Sequence, residues 1–176
     1  GVEEITLGGS TVQKYTNLDY AIAEGFSIDA GADSLQTLHL DVWRLDDTAD
    51  FGIKLVDYGS DGIHQGGEGN PQDDEEGEIR FNADAVPAGE WVRLEIPLSE
   101  FNLATSGSIS QMIFSSRDAD GNASLDTVYV ANLKDKVGLM TDKPFKLQMP
   151  NMGWQLRTNI QVPVHDPQFE AHEAMA

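Results

Sequence analysis

The run Leu38-His39-Leu40-Asp41-Val42-Trp43 is followed, after residues 44–50, by Phe51-Gly52-Ile53-Lys54-Leu55-Val56-Asp57-Tyr58. In the first run aliphatic residues alternate with polar or aromatic ones. Successive side chains of a strand point to opposite faces, so Leu38, Leu40 and Val42 share a face that must be buried. His39, Asp41 and Trp43 share the other. The second run repeats the arrangement, with Ile53 and Leu55 inward and Lys54, Val56 and Tyr58 outward. The link carries Asp46, Asp47 and Asp50 and reads as a surface turn, which makes the two runs a hairpin.

The pattern extends in both directions. Residues 2–7, 11–15 and 21–28 read as three strands, with turns at Gly8-Gly9-Ser10 and Asn17-Leu18-Asp19-Tyr20. Residues 59–77 form a long loop of glycines and acids that contains His64. Beyond it lie strands at 78–82 (Ile79 and Phe81 in, Arg80 out) and 91–96 (Val92, Leu94 and Ile96 in, Trp91, Arg93 and Glu95 out). A helical turn is expected at 97–101, then strands at 109–114 and 127–133. In 109–114 either Gln111 and Ile113 or Met112 and Phe114 are buried; composition leaves both readings open. About eight to nine short antiparallel strands with turn chemistry between them, and no helical period, predict an all-β jelly-roll β-sandwich.

Composition bounds the rest. The 176 residues are enough for one domain and an appendage. Thirty acids against eleven Lys and Arg give a formal charge of −19, which repels nucleic acid and anionic membranes. Such acidity fits a protein of salty, marine water. There is no cysteine, so neither a disulfide framework nor a thiolate metal site is expected. The first residue is Gly1 rather than Met, which reads as a processed or excised fragment. Residues 1–136 make the sandwich. In 137–176, Pro144, Pro150, Pro163 and Pro167 break up the chain, so an irregular C-terminal extension is expected, with a short helix at 169–175. Met140, Phe145, Leu147, Met149, Met152, Trp154 and Leu156 make it too apolar for a free linker; it packs along its own sandwich or leads into a further domain.

A series of blocks carries a family likeness: Lys14-Tyr15-Thr16-Asn17-Leu18-Asp19-Tyr20, the Leu38 run, Lys54-Leu55-Val56-Asp57, Gly89-Glu90-Trp91, Ile96-Pro97-Leu98-Ser99-Glu100-Phe101, Ile109-Ser110-Gln111-Met112-Ile113-Phe114-Ser115 and Thr127-Val128-Tyr129-Val130-Ala131-Asn132-Leu133. In that order, they resemble the carbohydrate-binding-like β-sandwich modules, of galactose-binding-domain type, attached to secreted bacterial laminarinases and related polysaccharide hydrolases. The resemblance implies a secreted, non-catalytic jelly roll tethered to a glycoside hydrolase domain, often with a structural calcium ion. One departure is local: Ala131 precedes Asn132 where such modules usually carry Asp.

The residues themselves suggest how a glycan would be held. A sugar stacks its C–H face on an aromatic ring and presents hydroxyls to planar donors and acceptors. The candidate ligand-binding residues are therefore Trp43, Tyr58, Arg80, His39, Asp41, Lys54, Arg93 and Gln111, and the expected ligand is a neutral polysaccharide such as a β-glucan or an algal galactan. For Trp43 and Trp91 packing under loops or tail is the competing role. Asp118, Asp120, Asn122 and Asp126 match the start of a calcium loop, but Ala123 replaces the required glycine and Tyr129 the final acid; an ordinary turn at Asp120-Gly121-Asn122 explains the same residues. Two other functions compete: a sandwich that only braces a neighbouring catalytic domain, and a small lyase combining His39, Tyr58, Arg80 and Gln111. No strand carries the paired carboxylates of a jelly-roll hydrolase.

Overall fold

The computed structural model describes residues 1–31, 35–64, 74–135 and 146–148. Ten strands form two antiparallel sheets. The back sheet has the order β1 (Val2–Leu7), β2 (Ser10–Leu18), β9 (Asp126–Asp135), β4 (Thr37–Arg44), β7 (Val92–Pro97). The front sheet has the order β10 (Lys146–Gln148), β3 (Tyr20–Ile28), β8 (Ile109–Arg117), β5 (Asp50–Asp57), β6 (Glu75–Phe81). A single 3₁₀ turn, Leu98–Phe101, follows β7, and there is no α-helix among the described residues. The chain changes sheet at nearly every connection, the arrangement of a jelly roll. The extension expected over 137–176 lies outside the described residues except for β10, as does the stretch 65–73 of the long loop.

The predicted alternation holds where it was read. Leu38, Leu40 and Val42 from the back sheet meet Ile53 and Leu55 from the front sheet in one core. Tyr15 and Phe114 pack edge-on across it, with ring centroids 5.6 Å apart. Phe114 and Met112 belong to this core, which settles the face of β8: Gln111 and Ile113 point outward.

The hairpin does not form. β4 pairs with β7 and β9, and β5 pairs with β6 and β8. Residues 45–49 carry the chain from one sheet to the other, so the outward faces of the two runs lie on opposite sides of the sandwich. A polar turn rich in Asp serves a crossover as well as a hairpin, and only the pairing distinguishes them. The acid-rich end of the long loop is also strand: β6 begins at Glu75. There Gly77 is needed because a Cβ would fall 2.0 Å from the carbonyl oxygen of Phe101, and only glycine lets backbones approach so closely.

One end of the core holds an ionic group. Arg44 continues the inward alternation of β4 and is fully buried, its three guanidinium nitrogens without a hydrogen-bond partner. It lies in the field of Asp126, Asp47, Asp46 and Asp50. Asp126 is buried too, and its Oδ1 accepts from the backbone N–H of Asp46 (3.1 Å) and of Thr127 (2.6 Å). Burial pushes its carboxyl from 3.8 up to about 6, against those hydrogen bonds and Arg44, which pull it down. A carboxyl that holds its proton more tightly folded than unfolded stabilises the fold fully below pH 3.8, and the contribution is lost as the pH rises through about 6. The loss is roughly 3 kcal/mol across those two units. Urea midpoints measured from pH 4 to pH 7 should therefore fall, and Asp126→Asn should flatten the fall.

Candidate functional site

The eight residues nominated from sequence divide evenly. Tyr58, Lys54, Arg80 and Gln111 come together on the outer face of the front sheet. Trp43, His39, Asp41 and Arg93 lie on the outer face of the back sheet, with the core between the two groups.

The back-sheet residues are occupied with each other. Asp41 Oδ1 accepts from Arg93 Nε at 3.0 Å, and Asp41 Oδ2 accepts from Asn132 Nδ2 at 2.7 Å. His39 Nδ1 lies 3.5 Å from Glu95. Both contacts follow the β4–β7 register, which places His39 opposite Glu95 and Asp41 opposite Arg93. Trp43 is only 4% exposed. It packs edge-on to Tyr129 (5.2 Å, 77°) beside Trp91, Val12 and Ala131. The expectation that Trp43 offers a solvent-facing ring is thus corrected: it is a packing residue, because the neighbouring strands carry bulky rings on the same face. The lyase set fails with it, since His39 sits across the sandwich from Tyr58, Arg80 and Gln111.

The front face is built in cross-strand rows fixed by register. One row runs Tyr20, Ser115, Gly52, Arg80; the next Ile22, Ile113, Lys54, Glu78; the third Glu24, Gln111, Val56, Glu76. Tyr58 stands beyond the third row, half-buried. Its backbone N–H bonds to the carbonyl of Ser108 at 2.9 Å. Its neighbour Asp57, fully buried, staples the rim: Oδ1 accepts from Gly59 N and Thr105 Oγ1, and Oδ2 accepts from Ser108 N. Glu75 accepts from the backbone of Ala104 and Thr105 on the same rim.

The Tyr58 ring stacks on His64 (5.1 Å, 27°), and His64 Nδ1 lies 3.2 Å from Asp74. The Tyr58 hydroxyl accepts from Gln111 Nε2 at 3.3 Å, and the same nitrogen donates to Glu24 Oε1 at 2.5 Å. Burial, then the charges of Glu24 and Asp74, push the phenol above its ordinary pKa, so near neutrality it is a neutral donor and acceptor and a poor base. Lys54 Nζ bonds to Glu76 at 2.7 Å, and Arg80 Nε to Glu78 at 3.1 Å. Among the described side chains, Glu24, Asp74, Glu76 and Glu78 outnumber Lys54 and Arg80, so these groups together are net acidic. Gly52 is buried in the middle of the face, closed over by two side chains: a Cβ there would meet Ser115 Oγ and lie 3.1 Å from Glu78 Oε1.

Sequence reasoning missed Glu24, Ile22, Ile113, Gly52, Glu76 and Glu78. Glu24 and Ile22 alternate with the buried Ala21 and Ala23, a legible signal. Gly52 became legible only with Ser115 placed beside it.

Asp118, Asp120, Asn122 and Asp126 do not converge. Asp118 Oδ1 accepts from the N–H groups of Asp120 (2.9 Å) and Asn122 (2.8 Å), and its Oδ2 from Asn122 Nδ2 (3.1 Å). Those bonds, led by Asn122, hold its carboxyl below the usual range. The carboxylate thus closes its own turn, while Asp126 faces Asp46 and Arg44. No group of three or more His, Cys, Asp or Glu side chains able to hold a metal is present among the described residues. The calcium set read from sequence does not fit an ion.

No protein-family model matches the sequence, and no curated protein matches it. Solved structures do match in fold. A family 30 carbohydrate-binding module superposes with a TM-score of 0.52 at 18% identity, over 76% of this chain and 80% of that one. A family 30 module of a cellulosomal cellulase of Clostridium thermocellum gives 0.51 at 16% identity, over 81% and 83%. A family 11 carbohydrate-binding module of another cellulosomal cellulase of that organism gives 0.50 at 13% identity, over 77% and 79%. The chain therefore has the sandwich fold seen in carbohydrate-binding modules.

Proposed function

We propose that the chain is a non-catalytic carbohydrate-binding module that lays a neutral glycan across the outer face of its front sheet. The observation that supports this best is the setting of Tyr58. Its partly exposed ring is braced by Gln111 and His64 at one end of a sheet face on which Val56, Gln111 and Ser115 are buried while Glu76, Glu78 and Arg80 are exposed. A pyranose stacking near Tyr58 would present hydroxyls to Glu24 and Lys54. Ile22 and Ile113 supply apolar floor for the C–H faces between these groups.

The acidity of these groups favours neutral over anionic polymers, since Lys54 and Arg80 each already have a carboxylate partner. A β-glucan is the first choice and an algal galactan the second. Two of the fold neighbours are modules of cellulosomal cellulases, and the sequence resembles modules of laminarinases. By the same resemblance the module is secreted and tethered to a glycoside hydrolase, holding the polymer near it.

Isothermal titration with cello- and laminari-oligosaccharides, agarose oligosaccharides and alginate oligomers tests the reading. We expect a neutral glycan to bind with micromolar to millimolar Kd, roughly −4 to −8 kcal/mol, with alginate at least about tenfold weaker, a difference of about 1.4 kcal/mol. Chelation with EDTA should leave the neutral glycan's affinity unchanged, because no metal set is gathered among the described residues. Failure to bind any neutral glycan would overturn it.

A further inference from the structure

We propose that the front sheet carries a second sugar subsite at Tyr20, at the end of the face away from Tyr58, so that the ligand is a chain of several linked neutral sugars. The proposal rests on the reading of this face as the glycan site. Tyr20 is the most exposed aromatic side chain among the described residues, at 36%. Its direction follows from the alternation along β3. Ala21 and Ala23 are core residues, so Tyr20, Ile22 and Glu24 point to the outer face.

Polar groups of the kind a sugar needs stand beside this ring. Ser115 and Arg117 share the outward face of β8, since Met112 and Phe114 belong to the core. Tyr20 pairs with Ser115, and Arg117 is two residues further along β8. Arg117 Nη2 donates to Asp19 Oδ1 at 2.6 Å, and Nη1 donates to the carbonyl of Gly121 at 2.8 Å. The guanidinium is thus fixed from two sides, yet each terminal nitrogen keeps a second hydrogen. Both partners are within reach of a ligand, with side chains 33% and 36% exposed. A guanidinium beside a carboxylate offers a sugar hydroxyl a donor and an acceptor at once. The tyrosine ring supplies the surface for the C–H face. The ion pair also ties Asp19, the single residue between β2 and β3, to the loop after β8. That explains the pair and leaves the exposed ring next to it unexplained.

Register sets the length of the ligand. Tyr20 lies opposite Ser115, and Ser115 opposite Gly52, so Tyr20 is level with Gly52 two strands away. Tyr58 follows Gly52 by six residues. The two tyrosines are therefore about 20 Å apart along the strands and about 10 Å across them. One or two sugar rings cannot reach both. Half-buried Ile22, Ile113 and Lys54 lie between them, and these are the groups assigned above to the glycan.

Titration with the disaccharide and the hexasaccharide of the cello-, laminari- and agarose series tests the second subsite. We expect the parent to bind a hexasaccharide at least about tenfold tighter than its disaccharide, because joined subsites act together. Tyr20→Ala should weaken the hexasaccharide by about fivefold, as expected for one stacking ring, and shift the disaccharide by less than about twofold. Tyr20→Trp keeps a stacking ring and should hold the hexasaccharide at the parent's affinity. Tyr20→Thr, which retains a good strand former, takes the place of Tyr20→Ala if that variant fails to fold. Equal affinity of the parent for both lengths, or a hexasaccharide affinity untouched by the loss of the ring, would overturn the second subsite and leave the site at Tyr58 standing. So would a loss of the same size at both lengths. A parent that binds neither length in any series would overturn both.

Discussion

Trp43→Ala is expected to cost about 3–5 kcal/mol of stability, the range for removing a buried Trp or Phe. At roughly 2–4 °C per kcal/mol for a domain of this size, the thermal midpoint should drop by about 6–20 °C. The cavity cannot collapse easily, because Tyr129 on β9 is held by its own strand and Trp91 sits at the start of β7. Trp43→Phe keeps most of the contact and should cost less than half as much. Below its midpoint, Trp43→Ala should still bind glycan with the affinity of the parent, since Trp43 lies on the far side of the core from Tyr58. Calorimetry and a glycan titration on one preparation check both halves. A midpoint within about 2 °C of the parent, together with lost binding, would return Trp43 to the role its sequence position first suggested.

Tyr58→Ala should do the reverse. We expect glycan affinity to fall at least about tenfold, or 1.4 kcal/mol, with the midpoint nearly unchanged because the ring is only half-buried. Tyr58→Phe keeps the stacking surface and loses the bond from Gln111 Nε2. A net hydrogen bond of about 0.5–1.5 kcal/mol makes that a several-fold loss, between the parent and Tyr58→Ala. An equal loss in both variants would mean that the hydroxyl, and not the ring face, holds the sugar.

The contrast between these two aromatics shows what was legible in the sequence. Alternation is local, so the strands and the inward faces of Leu38, Leu40, Val42, Ile53 and Leu55 could be read directly. Pairing is not local. The acidic residues after Arg44 suit a hairpin and a crossover equally, and the choice between them moved Trp43, His39, Asp41 and Arg93 to the opposite side of the molecule from Tyr58. The acid run before β6 looked like a repelling loop. The strand relieves the repulsion: Glu76 meets Lys54 diagonally across β5, Glu78 meets Arg80 two residues along its own strand, and Glu75 accepts from the backbone of Ala104 and Thr105. Asp118 illustrates a third limit, for a carboxylate that closes its own turn has the same spacing as one that awaits an ion.

Amide chemical-shift mapping during titration with a neutral β-glucan oligosaccharide tests the central claim most directly. The account predicts saturable shifts at Ile22, Gly52, Lys54, Tyr58, Gln111 and Ile113, with His39, Asp41 and Trp43 unmoved. Shifts confined to the back sheet, or none at any glycan concentration, would contradict it.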